Sequence, residues 1–164
     1  MLTIQDEQYI HFISCIQNLN NSLNILNEIK TSKDSPLINS AFQFALIEYC
    51  KPYTRSDGRA LDSNGKEAKY KLGTNYIPPD CLSLHKRILN ARNKIHAHKD
   101  LTLMEARVIL SKTHEGQAAS IFQNFIHGSE ELRNIDSIID LIHRTLVKMN
   151  PEAYRLESLL EVHD

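Results

Sequence analysis

The residues best suited to chemistry lie in one short stretch, Leu82 to Asp100, which reads LSLHKRILNARNKIHAHKD. On a helical wheel Leu82, Leu84, Ile88, Leu89 and Ile95 share one broad face, and Arg92 falls near its centre. A permanently charged guanidinium within an apolar stripe is costly unless an anion meets it. Either an internal carboxylate (Asp100, Glu48 or an acid of the last helix) pairs with it, or the site receives a phosphate. His96 follows Arg92 by one helical turn and faces the same way, and Asn93 sits at the edge of that face. His98 is swung away on an unbroken helix but can turn back beside Arg92 if the helix ends near His96 or Ala97. Arginine can bridge two phosphoryl oxygens as negative charge builds on them. Histidine near neutrality can remove one proton and deliver another. These side chains suit cleavage of a phosphodiester whose own 2′-hydroxyl is the nucleophile. That chemistry needs no metal, and no acidic cluster is offered to hold magnesium, so no cofactor is expected.

The charge pattern supports a polyanionic partner. Between Asp80 and Asp100 there is no acid, yet there are Lys86, Arg87, Arg92, Lys94, Lys99 and three histidines. From Ser129 to the end the balance reverses, with eight acids against four bases. The net charge is only -1, so RNA must be met by a local basic patch and not by the field of the whole chain. Lys86, Arg87, Lys94 and Lys99 are the candidate nucleic-acid contacts. His96-Ala97-His98 could form part of a zinc site, but no third ligand is placed nearby, and no metal residues are assigned. His11, His85, His114, His127, His143 and His163 read as scattered surface or capping residues. Tyr49, Tyr53, Tyr70 and Tyr76 could stack on bases, although half-buried rings with wet hydroxyls are the favoured reading.

The elements that must position this stretch are mostly helices. Residues 4–30 place Tyr9, Phe12, Ile16, Leu19, Leu23 and Leu26 on one stripe. The opposite face is rich in asparagine, a mediocre helix former, so packing must hold this helix. Ser35-Pro36 reads as an N-cap and first helical position for a strongly apolar second helix, which Pro52 stops after about Lys51. Residues 53–79 show turn dipeptides and no periodicity, which predicts a long loop. A third helix begins near Asp80 and reaches at least His96. Residues 102–127 are ambiguous between a helix and a β-hairpin, with the hairpin favoured near 104–123. Gly128-Ser129-Glu130-Glu131 opens a last long helix, whose Leu132, Ile135, Ile139, Ile142, Leu146 and Met149 keep a three-four rhythm. Asn150-Pro151 is expected to end it, with a short helix from Glu152 to Glu161 closing the chain.

The 164 residues make one domain, 1–164, large enough to bury a core without staples. Hydrophobic residues at 41% and charged residues at 24% exclude a disordered tail, a collagenous chain and a disulfide scaffold. Cys15, Cys50 and Cys81 form no C-x-x-C pair and sit among apolar residues, as reduced buried thiols of a cytoplasmic protein would. No run of 18 apolar residues and no secretory leader is present, so no membrane partner is expected.

Arg92-Asn93 followed by His98 fits an R-(polar)-x-x-x-x-H signature, and RNKIHAHKD as a whole resembles that of the HEPN superfamily, especially its abortive-infection branch. The resemblance covers most of the chain: two long helices, a loop, a helix ending in the motif, and a further long helix. It implies a mainly α fold, a HEPN-like bundle of four to five helices with the small hairpin as an insertion. It implies a homodimer in which two motifs face each other across a cleft. Many members are metal-independent endoribonucleases acting as toxins or phage-defence effectors, some with an antitoxin or other defence partner protein. Others have lost catalysis and bind nucleic acid or protein. Carried over by position, Arg92 and His98 would be the catalytic pair, with Asn93 orienting them. His96 competes with His98 for the histidine role, and that choice stays open.

Overall fold

The computed structural model describes residues 2–32, 36–61, 65–92, 107–113, 116–122 and 129–160. The protein is mainly helical, with helices α1 (Ile4–Thr31), α2 (Ile38–Cys50), α3 (Leu82–Ala91) and α4 (Ile135–Glu157). Two antiparallel hairpins accompany them: β1 (Ser56–Leu61) with β2 (Glu67–Tyr70), and β3 (Arg107–Thr113) with β4 (Gly116–Phe122). The second hairpin falls within residues 104–123, where the sequence favoured one. Among the described residues no helix is long and apolar enough to cross a membrane.

α1 is the spine. Its first turn is closed by a capping box: Thr3 Oγ1 accepts from the Asp6 amide at 3.1 Å, and the Asp6 carboxylate accepts from the Thr3 amide at 2.7 Å. Phe12, Cys15, Leu19, Ser22, Leu26 and Ile29 recur every three or four residues and are buried. This stripe packs against both α2 and α4. The one hydroxyl within it is satisfied, because Ser22 donates to the Ala45 carbonyl of α2 at 2.8 Å. α4 completes the core with Ile138, Leu141, Ile142 and Met149, none of them measurably exposed. Each such aliphatic side chain contributes about 2 kcal/mol by leaving water. All three cysteines are buried and unbridged.

Three boundaries differ from expectation. α2 starts at Ile38, with Leu37 as its N-cap and no capping side chain, so it begins two residues beyond Pro36; Ser35 lies outside the described residues. The acids after Ser129 do not open an α-helix: Ser129–Asn134 form a 3₁₀ turn, and α4 follows from Ile135. α4 then continues through Pro151 to Glu157. Proline removes the bond to the carbonyl four residues back, here Val147, but Val147 and Pro151 both lie on the solvent face. Water can serve that carbonyl, while Met149 and Leu156 keep the inner face buried.

The largest correction is in the expected loop, where β1 and β2 pair as an antiparallel hairpin, with Gly65 before β2 at φ 70°. Their residues are poor strand formers, so local propensity does not make this hairpin. A carboxylate from α1 does. Buried Glu7 accepts from the Arg59 amide at 2.7 Å, the Ala60 amide at 3.0 Å and the Tyr70 hydroxyl at 3.2 Å. Asp57-Gly58, which reads as a turn, lies inside β1. A Cβ at Gly58 would collide with Glu7 Oε2 and the Tyr70 ring, so glycine is there to let strand and helix approach.

Glu7→Ala is therefore expected to lower unfolding free energy by about 2 kcal/mol, the scale of hydrogen bonds to a charged acceptor. Glu28→Ala, on the exposed side of the same helix, should change it by less than about 0.5 kcal/mol. Urea denaturation of both variants, with amide exchange followed at Arg59 and Ala60, checks this. Equal effects of the two substitutions would show that the carboxylate does not hold the hairpin.

Candidate functional site

The candidate site is built on α3. The chain enters it through Pro78 and a 3₁₀ turn, Pro79–Cys81. Asp80 in that turn is gripped by Arg144 of α4 through two bonds, at 2.7 and 2.8 Å. The Arg144 guanidinium holds the Asp80 carboxyl below its ordinary range. Arg144 also reaches Asp140 at 3.1 Å. These partners are exposed, so the cluster orients the helix entry more than it stabilises the fold.

The inner face of α3 carries Leu84, His85 and Ile88, all buried. His85 is a correction, for it is 1% exposed and not a surface histidine. Its Nδ1 shares a 2.7 Å hydrogen bond with the Tyr49 hydroxyl of α2. Tyr49 and Tyr53 are likewise buried and not half-wet, while Tyr70 and Tyr76 keep partial exposure. The Tyr53 ring meets His85 edge-on, with centroids 4.5 Å apart. Burial pushes both tyrosine hydroxyls well above their ordinary range. Burial first, then the charges of Lys71 and Lys86, lowers His85 to about 4. At neutral pH the ring is therefore uncharged. With Nδ1 accepting from Tyr49, its proton sits on Nε2. Among the described residues, that Nε2 and the Tyr53 hydroxyl are buried without hydrogen-bond partners. Each such group costs on the order of 1–3 kcal/mol.

Arg92 follows α3 with helical dihedrals, φ -59° and ψ -49°. It is half-buried and continues the His85–Ile88 face, since the steps from 85 to 88 to 92 are three and four residues. Its inner neighbour is the end of α2. Burial raises the Cys50 thiol to about 12, and the Arg92 charge acts against that rise. Glu48 of the same helix, one of the acids that could meet Arg92, is buried and accepts from Lys51 Nζ.

The outer face of α3 carries Lys86 and Asn90, both exposed. Arg87 is engaged within the protein: its Nε donates to Glu131 Oε1 at 2.6 Å and its second nitrogen to Oε2 at 3.3 Å. Glu131 also accepts from Asn134 at 2.9 Å, and its carboxyl lies below the ordinary range because Arg87 faces it. Of the residues singled out in the sequence, Arg92, Lys86 and Arg87 are thus placed on one helix. Asn93, Lys94, His96, His98 and Lys99 lie outside the described residues, as does Asp100. Among the described residues no cluster of three or more histidine, cysteine or carboxylate side chains is arranged to hold a metal.

Sequence reasoning missed the Tyr49–His85–Tyr53 cluster, although one signal was available. His85, Ile88 and Arg92 share a face by their spacing, and Tyr49 lies within the apolar arc of α2. A second aromatic contact lies across the molecule, where His11 stacks on Tyr70 at 5.5 Å beside a cleft of about 330 Å³ between α1 and the first hairpin. No family model, curated protein or solved structure matches the chain.

His85 makes the fold acid-sensitive. A histidine lowered from 6.5 to about 4 binds protons more readily in the unfolded chain. Stability is therefore full above pH 6.5 and falls as pH drops towards 4, by about 3 kcal/mol in all. Asp80 and Glu131, lowered by their arginines, contribute stability that is present above the ordinary carboxylate range and is lost only as pH falls below it. Denaturation between pH 7 and 5 should show this slope in the native protein and a flatter one in His85→Gln. A slope of the same size in both would remove His85 as its source.

Proposed function

We propose that this protein is a metal-independent endoribonuclease of the HEPN type, acting as a homodimer on RNA in a bacterial toxin or phage-defence role. The observation that carries the reading is Arg92: a half-buried guanidinium at the end of a helix whose inner face is otherwise Leu84, His85 and Ile88. The R-N-x-x-x-x-H spacing starting at that residue supports it. In this reading a histidine, His98 or His96, takes the proton from the 2′-hydroxyl. The oxygen attacks the adjacent phosphorus while Arg92 neutralises the charge gathering on the phosphoryl oxygens. A new P–O2′ bond forms, the P–O5′ bond breaks, and the leaving oxygen is protonated. The products are a 2′,3′-cyclic phosphate and a 5′-hydroxyl. Asn93 orients the pair, and Lys86, Lys94 and Lys99 follow the strand.

The second reading is a non-catalytic HEPN-like module that binds nucleic acid or a partner protein through the same helix. The Arg87–Glu131 pair favours it, because a cation committed within the subunit narrows the surface left for phosphates.

Incubating the protein with single-stranded RNA in excess chelator separates the two. Cleavage leaving cyclic phosphate ends is expected, and Arg92→Ala should slow it by about 10²-fold or more. Of His96→Ala and His98→Ala, the variant of the proton-transferring residue should fall similarly and the other little. RNA left intact across varied sequences, by a protein that still binds it, would establish the module instead.

A further inference from the structure

Side chains alternate along β2 and the residues that follow it, and those left in water are Glu67, Lys69 and Lys71. Among the described residues neither lysine pairs with an acid. Both line a polar cleft of about 240 Å³, together with Gln8, Asn75, Tyr76 and Glu152. Glu152, the acid there, is taken up by Arg155 through two bonds of 2.7 Å. Two uncommitted cations therefore set the sign of the cleft.

The end of the hairpin is close to α3. The Leu72 amide, next to Lys71, donates to the Pro52 carbonyl at 2.9 Å. Tyr53, next to Pro52, meets His85 edge-on. Lys86 follows His85, and the charges of Lys71 and Lys86 both act on that ring. Lys69, Lys71 and Lys86 thus form one strip from the hairpin to the helix that leads to Arg92.

The ring and amides of the cleft select among polyanions. Tyr76 is partly exposed and backed edge-on by Phe12 at 5.7 Å. Gln8 and Asn75 carry both donors and acceptors, as the edge of an unpaired base does. The volume is below the roughly 300 Å³ at which pockets for whole small molecules begin, and suits one flat ring of a longer ligand. An acidic peptide would use the lysines and leave the ring and amides idle. We propose that Lys69, Lys71 and Lys86 guide a single strand of RNA away from Arg92, with one unstacked base lodged in the cleft beside Tyr76. This rests on the RNA-binding part of the reading above, which it extends from α3 to the first hairpin; it needs no catalysis. The lysines meet phosphates as point charges, so the strand is held without regard to its sequence.

Fluorescence anisotropy tests it, with a labelled single-stranded RNA whose 2′-hydroxyls are methylated so that it cannot be cut. The double variant Lys69→Gln, Lys71→Gln should weaken binding about tenfold and flatten the slope of log affinity against log salt by about 1.4, the share of two phosphates. Lys148→Gln, at an exposed position of α4, should change neither. Tyr76→Leu should weaken the strand about tenfold and leave an abasic strand of the same length unchanged, a difference that general destabilisation would not produce. Lysine acetylation read by mass spectrometry should show RNA shielding Lys69, Lys71 and Lys86 and not Lys148. RNA bound as tightly by the double variant as by the native protein, or equal shielding of Lys148, overturns the inference and leaves the ribonuclease reading standing. RNA held through these lysines while the unmethylated strand stays intact upholds the inference and removes the ribonuclease reading. Failure to bind RNA overturns the inference, and shielding of the same lysines by polyglutamate would then assign the strip to an acidic protein segment.

Discussion

The seating of α3 is the constraint on which the candidate site depends. Ten residues are too few to make a stable helix alone, so its orientation is set by what it touches. Inside, the Tyr49–His85 hydrogen bond fixes the helix against α2. Outside, Arg87 ties it to Glu131, and Asp80 in the preceding turn is tied to Arg144. An inner face of leucines alone could slip or rotate with little penalty. A neutral imidazole that must meet one hydroxyl cannot, and Arg92 lies two turns further along the same face. The rotation that satisfies His85 therefore also sets where the guanidinium sits.

The distribution of charge takes on a second meaning in three dimensions. The acid-free stretch after Asp80 and the acid-rich segment after Ser129 read in sequence as a focused positive field. The fold brings them together, and part of the opposition is spent internally, Arg87 against Glu131. The outer side of α3 is thus less positive than its composition indicates. What distinguishes Arg92 from Arg87 is depth, because a half-buried guanidinium next to Ile88 interacts in a medium where charges act more strongly than in water.

How much was legible follows from where each signal resides. α1, the apolar arc of α2 and the inner face of α4 are written in three-four spacing, because their burial is on one side. The β3–β4 ribbon is legible because a Glu115-Gly116 turn signal separates two short runs, the first of which carries β-branched Val108, Ile109 and Thr113. The β1–β2 hairpin was not, since Asp57, Gly58, Glu67 and Lys69 are not strand formers and their partner, Glu7, is more than 50 residues away. Pro151 misled for a related reason: its penalty depends on whether the freed carbonyl meets water, which a helical wheel drawn only up to the proline does not show. His85 was passed over because a polar ring counts against burial until Tyr49 is known to face it. The position of Arg92 on its face was legible from spacing alone.

The two hairpins show how tertiary contact and local preference divide the work. β1 and β2 are short and weak by composition, and hold because a buried carboxylate takes two strand amides and a tyrosine hydroxyl, with Gly58 removed from the way. β3 and β4 are longer and regular, and β3 carries Val108, Ile109 and Thr113, yet among the described residues nothing comparable anchors them. A ribbon with intrinsic strand preference, apolar side chains on both faces and one edge free of charge differs in kind from a loop that happens to be extended. Among the described residues, neither strand contributes a side chain to the buried core.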